Sequence, residues 1–259
     1  MNSPADDRRS VPELFEVALC SGDEDVRWDA VAALHWRGSR GIFDRAAKLC
    51  RSKDAEERAL GADILGQLGI PERTFPDESF DTIATLLSDT SEEVLFSAIL
   101  ALQHVNLKRA ASHVLAFCDH PNDNVRYAVA VALGGVDDET AIKALVRLAS
   151  DGDAEVRNWA TFGLAQQCDV DTSEIREVLV ARLEDQDQDV RYEAIYGLAR
   201  RRDAKAVGYL KTILHDDPDD VFAREAAALL VGMEHSGDTS TSDLLGALQR
   251  HQRWSLRRA

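Results

Sequence analysis

Polar and apolar positions along the chain follow one phrase that recurs seven times: a short polar residue, arginine four residues later, a small residue three beyond, and leucine or valine four beyond that. The arginine slot falls at Arg27, Arg58, Leu95, Arg126, Arg157, Arg191 and Arg224, at intervals of about 31 to 37 residues. Four residues before it stand Asp23, Asp54, Ser91, Asn122, Asp153, Asp187 and Asp220, all of them types that cap helix N-termini by accepting from unpaired backbone N–H groups. Three residues after it come Ala30, Gly61, Ala98, Val129, Ala160, Ala194 and Ala227, and seven after it Leu34, Leu65, Leu102, Leu133, Leu164, Leu198 and Val231. Each phrase therefore opens an amphipathic helix whose small and aliphatic residues share one face. A shorter apolar run precedes it, as in Ile142, Leu145, Val146 and Leu148 ahead of the break Ser150-Asp151-Gly152-Asp153. Helix, tight turn, helix at this period predicts an all-α, right-handed α-solenoid of about seven helix pairs plus a C-terminal helix.

The period is interrupted in two places. Between the second and third units the interval grows, and the extra residues lie in the Gly/Pro-bearing stretch Gly69-Ile70-Pro71 to Pro76, a predicted loop. After the seventh unit comes a Gly/Ser/Thr-rich linker. The predicted organisation is a disordered start over residues 1–10, the repeat array over 11–233, the linker over 234–242, and over 243–259 a capping helix with a basic end at Arg250, Arg253, Arg257 and Arg258.

These units resemble HEAT repeats, and more closely the short subtype of phycobilin lyases and many bacterial scaffolds, whose units carry D-x-x-V-R before the second helix. The resemblance is carried by Asp23-Glu24-Asp25-Val26-Arg27, Asn122-Asp123-Asn124-Val125-Arg126, Asp153-Ala154-Glu155-Val156-Arg157 and Asp187-Gln188-Asp189-Val190-Arg191. It depends less on the third unit, with Leu95 in the arginine slot, and the seventh, with Ala223 in the valine slot. It implies that the second helices line the concave side of the array.

Counting from the arginine at 100° per residue, positions −1, +3, +4, +6 and +7 form the expected buried arc, while +1, +2, +5 and +9 point outward. The outward arc holds Trp28, Trp36, Phe96, Tyr127, Trp159, Phe162, Tyr192 and Tyr196, with the acids Asp29, Asp63, Glu193 and Glu225. Large rings beside carboxylates have the composition of a protein-binding surface. The candidate partner-binding residues are thus Trp28, Asp29, Trp36, Asp63, Phe96, Tyr127, Trp159, Phe162, Tyr192, Glu193 and Tyr196. In the later repeats, Trp159, Phe162, Tyr192 and Tyr196 are expected to form one patch with Glu193 at its edge. The slot arginine is expected to be structural, reaching carboxylates of the turns before and after it.

Charge narrows the partner. There are 46 acidic against 30 basic residues, a net charge of −16, with 29 Asp and only 6 Lys, and no basic stripe follows the repeats. Nucleic-acid binders neutralise phosphate with lysine and arginine, so a protein partner, a basic one, fits better, although solubility or a high-salt host would also favour acids. No long apolar segment spans a membrane and no signal peptide is recognised, which leads to the expectation of a cytoplasmic monomer. Cys20, Cys50 and Cys118, at the ends of first helices, read as small core residues, with a Cys20–Cys50 bridge excluded by helix spacing.

Catalytic signatures are missing. None of the seven histidines is followed by Glu, as the iron-binding His-Glu pairs of HEAT-repeat hydroxylases require, and neither a zinc spacing nor a phosphate loop is present. The expected function is a non-catalytic protein-binding module without metal or cofactor, for which either an assembly scaffold or a toxin-neutralising immunity protein would fit. The alternative is a phycobilin-lyase-like chromophore carrier, and a weaker one a HEAT-like DNA glycosylase.

Overall fold

The computed structural model describes residues 4–233 and 239–255. Among them there are fourteen α-helices and no strand. Contacts divide the chain into two compact units, Met1–Ala132 and Leu133–Ala259.

The first unit contains α1 (Val11–Cys20), α2 (Glu24–Arg37), α3 (Arg40–Leu49), α4 (Ala55–Gly66), α5 (Pro76–Ala84), α6 (Glu92–Val114) and nearly all of α7 (Asp123–Leu133). Helix α1 packs on α2, α3 on α4, and α5 on α6, while α4 lies against both α2 and α6. The second unit contains α8 (Glu139–Leu148), α9 (Ala154–Phe162), α10 (Ser173–Arg182), α11 (Gln188–Arg200), α12 (Val207–Asp216), α13 (Val221–Val231) and α14 (Thr241–Ser255). Its pairs are α8 with α9, α10 with α11 and α12 with α13, and α11 packs between α9 and α13. Helix α14 lies on α12 and α13, burying Leu244, Ala247 and Leu248. Of the expected linker 234–242, residues 234–238 lie outside the described residues, as does the basic end at Arg257 and Arg258, and the helix already starts at Thr241.

Seven pairs would give fifteen helices with the terminal one. There are fourteen because the second helix of the third repeat runs into the first helix of the fourth, joined as α6 across a kink at Asn106 (φ −158°, ψ 95°). No glycine or proline separates the two arms. A 3₁₀ turn, Leu115–Phe117, ends this run. Similarly, α9 continues into a π-helical turn, Gly163–Gln167. Carbonyls at that helix end are taken up by arginines of the next repeat: Arg201 Nη2 donates to Leu164 and Cys168, and Arg200 Nη1 to Ala165 and Gln166.

The expected inward stripe is the core. Ala30, Leu34, Ala98, Leu102, Ala160, Leu164, Ala194 and Leu198 are all fully buried. Close approach explains the glycine in the second repeat's small slot: a Cβ on Gly61 would stand 2.8 Å from the Ala46 carbonyl and from Cys50 N. Cap hydrogen bonds form at Asp23, Asp54, Asn122, Asp153, Asp187 and Asp220, each worth about 1 kcal/mol. Ser91 makes none, but its own N–H donates to Asp89. The loop after α4 folds back on α2, with Gly69 N donating to His35 O and Thr74 Oγ1 to Gly38 O. At the polar start, Met1–Ser3 lie outside the described residues, and Arg37 Nη2 donates to the carbonyls of Asp7 and Arg9.

One expectation is corrected. Cys50 and Cys118 are buried but Cys20, on the last turn of α1, is exposed, because at 100° per residue it falls on the opposite side of the helix from the buried Leu14, Phe15 and Ala18. None of the cysteines is in a disulfide.

The slot arginine also departs from a uniform ladder. Arg157 Nη1 donates to the carbonyls of Asp151 and Gly152 in its own turn, while Nε and Nη2 grip Asp185 of the next turn at 3.0 Å each. Arg58 does the same with Ser52 O and with Asp89. Among the described residues Arg27 and Arg191 make no ion pair; their guanidinium groups donate to backbone carbonyls. The terminal Arg224 turns to Thr241 Oγ1 and Thr239 O, in the segment leading into α14. In a complete rung the Arg157 and Asp185 side chains are only 14% and 5% exposed. Arg157→Ala is therefore expected to lower the urea midpoint by the equivalent of about 2 kcal/mol, the residual Arg182–Asp185 pair moderating the loss. Arg191→Ala, which loses only carbonyl contacts, should cost less than about 1 kcal/mol in the same titration.

Candidate functional site

Every aromatic ring placed on the outward arc lies outside the core. In the first unit Trp28 and Trp36 are 50% and 44% exposed, and Phe96 and Tyr127 are half-buried. The Phe96 and Tyr127 rings stack across neighbouring repeats, centroids 6.1 Å apart at 18°. In the second unit Trp159, Phe162, Tyr192 and Tyr196 are all half-buried. A one-residue error of register would have put several of them among the fully buried side chains.

The rings of the second unit fall in two groups. Trp159 and Phe162, one turn apart on α9, meet edge to face at 5.5 Å. Tyr192 and Tyr196 close on Phe222 of the next repeat, at 4.8 and 5.4 Å. Phe222 was not anticipated. It stands two residues before Arg224, at −200° or 160° around the helix, in the middle of the outward arc between +5 and +9. Elsewhere that position holds Asp25, Glu56, Glu93, Asn124, Glu155 and Asp189, all exposed. In each unit the first turns of the second helices thus carry exposed carboxylates, where the helix dipole favours negative charge.

Carboxylates expected on the face differ in setting. Asp29 is exposed. Glu193 is half-buried and accepts from Gln166 Nε2 at 2.7 Å, and burial raises its pKa; it belongs to the wall of the face and not to its rim. Tyr196 donates to Glu225 Oε1 at 2.8 Å and Tyr192 to Asp220 at 3.4 Å. Burial, then the adjacent Glu225, pushes the Tyr196 phenol up to about 12, and Tyr192 is raised mainly by burial. Both hydroxyls stay protonated.

Asp63 sits in a cleft of about 220 Å³ lined by Trp28, Phe96, Glu24, Glu56 and Glu93, with Arg27 and Ser97. Burial pushes its carboxyl up to about 6; the Ser97 hydroxyl lowers it and the Glu93 charge raises it further. Beneath it, His35 Nε2 donates to the Asp63 carbonyl at 3.0 Å, an assignment required because a carbonyl can only accept. Burial pulls the His35 imidazole down to about 4. Burial also raises the Cys50 thiol to about 12, so it is no nucleophile. Among the described residues no group of three or more His, Cys, Asp and Glu side chains is arranged to hold a metal ion. No helix among them is long and apolar enough to cross a membrane.

Paired helices packed on a shared inner stripe, with binding-type residues left on the outer arc, define an α-helical repeat protein of the solenoid class. The HEAT-repeat family model matches residues 81–165 and 147–231, and the chain belongs to that family. Protein YibA of Escherichia coli (strain K12) is 30% identical over 222 residues, covering 79% of this chain and 76% of YibA. The X-ray structure of the E. coli protein matches with a TM-score of 0.76 at 26% identity, over 95% of this chain and 93% of that one. The CpcE–CpcF complex of phycocyanin lyase from Nostoc sp. PCC7120 matches with a TM-score of 0.51 at 18% identity over 96% of each chain. A designed armadillo repeat protein in complex with the peptide (KR)4 gives 0.50 at 17%, over 73% of this chain and 98% of that one. The last two likenesses are of fold alone.

The Asp63 setting gives a signed pH dependence. A carboxyl raised in the folded state contributes stability that is complete below the unfolded value of 3.8 and is lost as pH rises through about 6. Asp63→Asn keeps an acceptor for Ser97 and removes that loss. Its thermal midpoint should match the wild type at pH 4 and exceed it at pH 8, by the equivalent of about 1 kcal/mol after allowance for partial exposure. His35 acts in the opposite sense, losing stability as pH falls from 6.5 to about 4, so the comparison is made at fixed pH between variant and parent. Equal midpoints at pH 8 would remove Asp63 as a strained carboxylate.

Proposed function

We propose that the protein is a non-catalytic binding module that grips another, basic, protein on the outward arc of its second helices. The observation that carries this reading is the placement of half-buried rings in contact across successive repeats, flanked by the exposed first-turn carboxylates. Half-buried rings present large apolar area at little entropic cost, and desolvation of a cationic side chain against them gains from the ring faces as well as from the acids. The designed armadillo repeat neighbour, in complex with the peptide (KR)4, supports the pairing of a helical repeat protein with a basic chain. In this reading the protein acts as a cytoplasmic monomer, without metal or cofactor, and either a scaffold or a toxin-neutralising immunity protein is consistent with it.

The partner would be captured by pull-down from the native host, and its affinity for variants then measured. Truncating a buried aromatic anchor commonly costs about 2 kcal/mol or more, so Trp159→Ala and Tyr196→Ala should each weaken the complex at least about thirtyfold with the fold intact. Glu155→Lys and Asp189→Lys, on exposed first turns, should chiefly slow association and reduce its salt dependence. Undiminished binding by the Trp159→Ala, Tyr196→Ala double variant would sink the reading.

A further inference from the structure

The slot arginines provide an internal standard for what their guanidinium groups hold. In Arg58 and Arg157 the Nη1 side is tied to carbonyls of the repeat's own turn, and the Nε/Nη2 edge takes both oxygens of an aspartate. That aspartate stands two residues before the next cap: Asp89 before Ser91, Asp185 before Asp187. Arg191 is anchored identically, with Nη1 donating to Asp185 O at 2.7 Å and Gln186 O at 3.0 Å. Two residues before the next cap, Asp220, the chain has Pro218. The Nε/Nη2 edge of Arg191 has no acceptor among the described residues.

At this broken rung the second unit opens a cavity of about 630 Å³, lined by Arg191 together with Leu183, Ile195 and Ile213 and the rings of Tyr192 and Tyr209. That volume is within the range of small-molecule sites, about 300 to 1,000 Å³, which are mostly apolar with a few oriented polar groups. We infer that this cavity binds a small monocarboxylate with an apolar body, its carboxylate seated on the Arg191 fork where Asp89 and Asp185 sit in the complete rungs. Two oxygens on one guanidinium edge give a charge-assisted, directional pair. Specificity for a single negative charge follows from the neighbours. Glu184 also lines the cavity and accepts the Tyr209 hydroxyl, and Asp220 accepts that of Tyr192; a dicarboxylate or a phosphate dianion would meet both.

Arg27 also lacks a rung, because Ser52 stands two residues before Asp54. Its cleft, however, already contains Glu24, Glu56, Asp63 and Glu93, four carboxylates against one guanidinium, and so has no place for another anion. The Arg191 site is independent of the protein-binding face, sharing only Tyr192 with it.

The test is calorimetric titration of the full chain with octanoate and 3-phenylpropionate, alongside their neutral amides and inorganic phosphate. At least one carboxylate should bind with one-to-one stoichiometry, its amide at least tenfold more weakly, and phosphate not measurably. Arg191→Gln should weaken that carboxylate at least tenfold while leaving the thermal midpoint within a degree or two. Pro218→Asp, which supplies the missing rung, should raise the midpoint and abolish binding. Absence of binding by both carboxylates, equal binding of acid and amide, or full binding by Arg191→Gln would overturn the inference. So would a Pro218→Asp variant that binds as the parent does.

Discussion

A repeat array has no long-range core to hold it, so each unit must specify its neighbour through contacts it makes locally. The slot arginine is the side chain that joins the two scales here. Its position one turn inside the second helix lets Nη1 tie down the turn that precedes the helix, and the same planar group projects its other edge toward the turn of the next repeat. One residue thereby fixes both the angle within a pair and the spacing between pairs. Lysine could not do so, having a single point charge in place of a two-edged fork. The aliphatic stripe supplies the larger driving force, about 1.5 to 3 kcal/mol for each fully buried leucine or valine, but burial is not directional. The rungs give the stack its register.

Acidity follows from the same construction. A helix start every repeat requires a cap, and a cap aspartate followed by another acid in the first turn meets the unpaired N–H groups and the positive end of the dipole. Within each unit the second helices pack against one another, so the acids of that unit come into line. Asp25, Glu56, Glu93, Glu155 and Asp189 thus serve helix initiation and, without further cost, surround the rings at +1, +2 and +5 with negative potential. A strongly negative chain is here less a global property than the repetition of one local solution.

The repeat phrase made the pairing, the caps and the buried stripe legible, because each is fixed by spacing within a dozen residues. The register of the rings was legible for the same reason. Phe222 was missed because the arc was drawn from positions after the arginine only, although −2 falls at its centre. The fusion of two helices into α6 was not visible: Asn106 is a weak signal, and the kink is set by packing on either side. Cys20 looked like Cys50 and Cys118 in sequence, yet it lies off the buried Leu14, Phe15 and Ala18 face of its helix. Least legible were the energies. Nothing in the residues around Asp63 shows that its carboxyl is pushed up to about 6, since this depends on Trp28 of α2 and on Glu93 and Phe96 of α6 closing over Asp63 of α4.

The informative places are those where the consensus fails. A complete rung such as Arg157–Asp185 neutralises its charges internally and has nothing left to offer a ligand. Where Ser52 or Pro218 replaces the rung aspartate, an oriented arginine is left beside a cavity, and the two cases diverge with their surroundings. Around Arg27 four carboxylates overcompensate the missing one, so the cleft has no place for a further anion. Around Arg191 the walls are largely apolar, and the Nε/Nη2 edge has no acceptor among the described residues. In a structure built by repetition, departure from local consistency marks a site more directly than any single residue type does, because the intact repeats show what each side chain does when it is only structural.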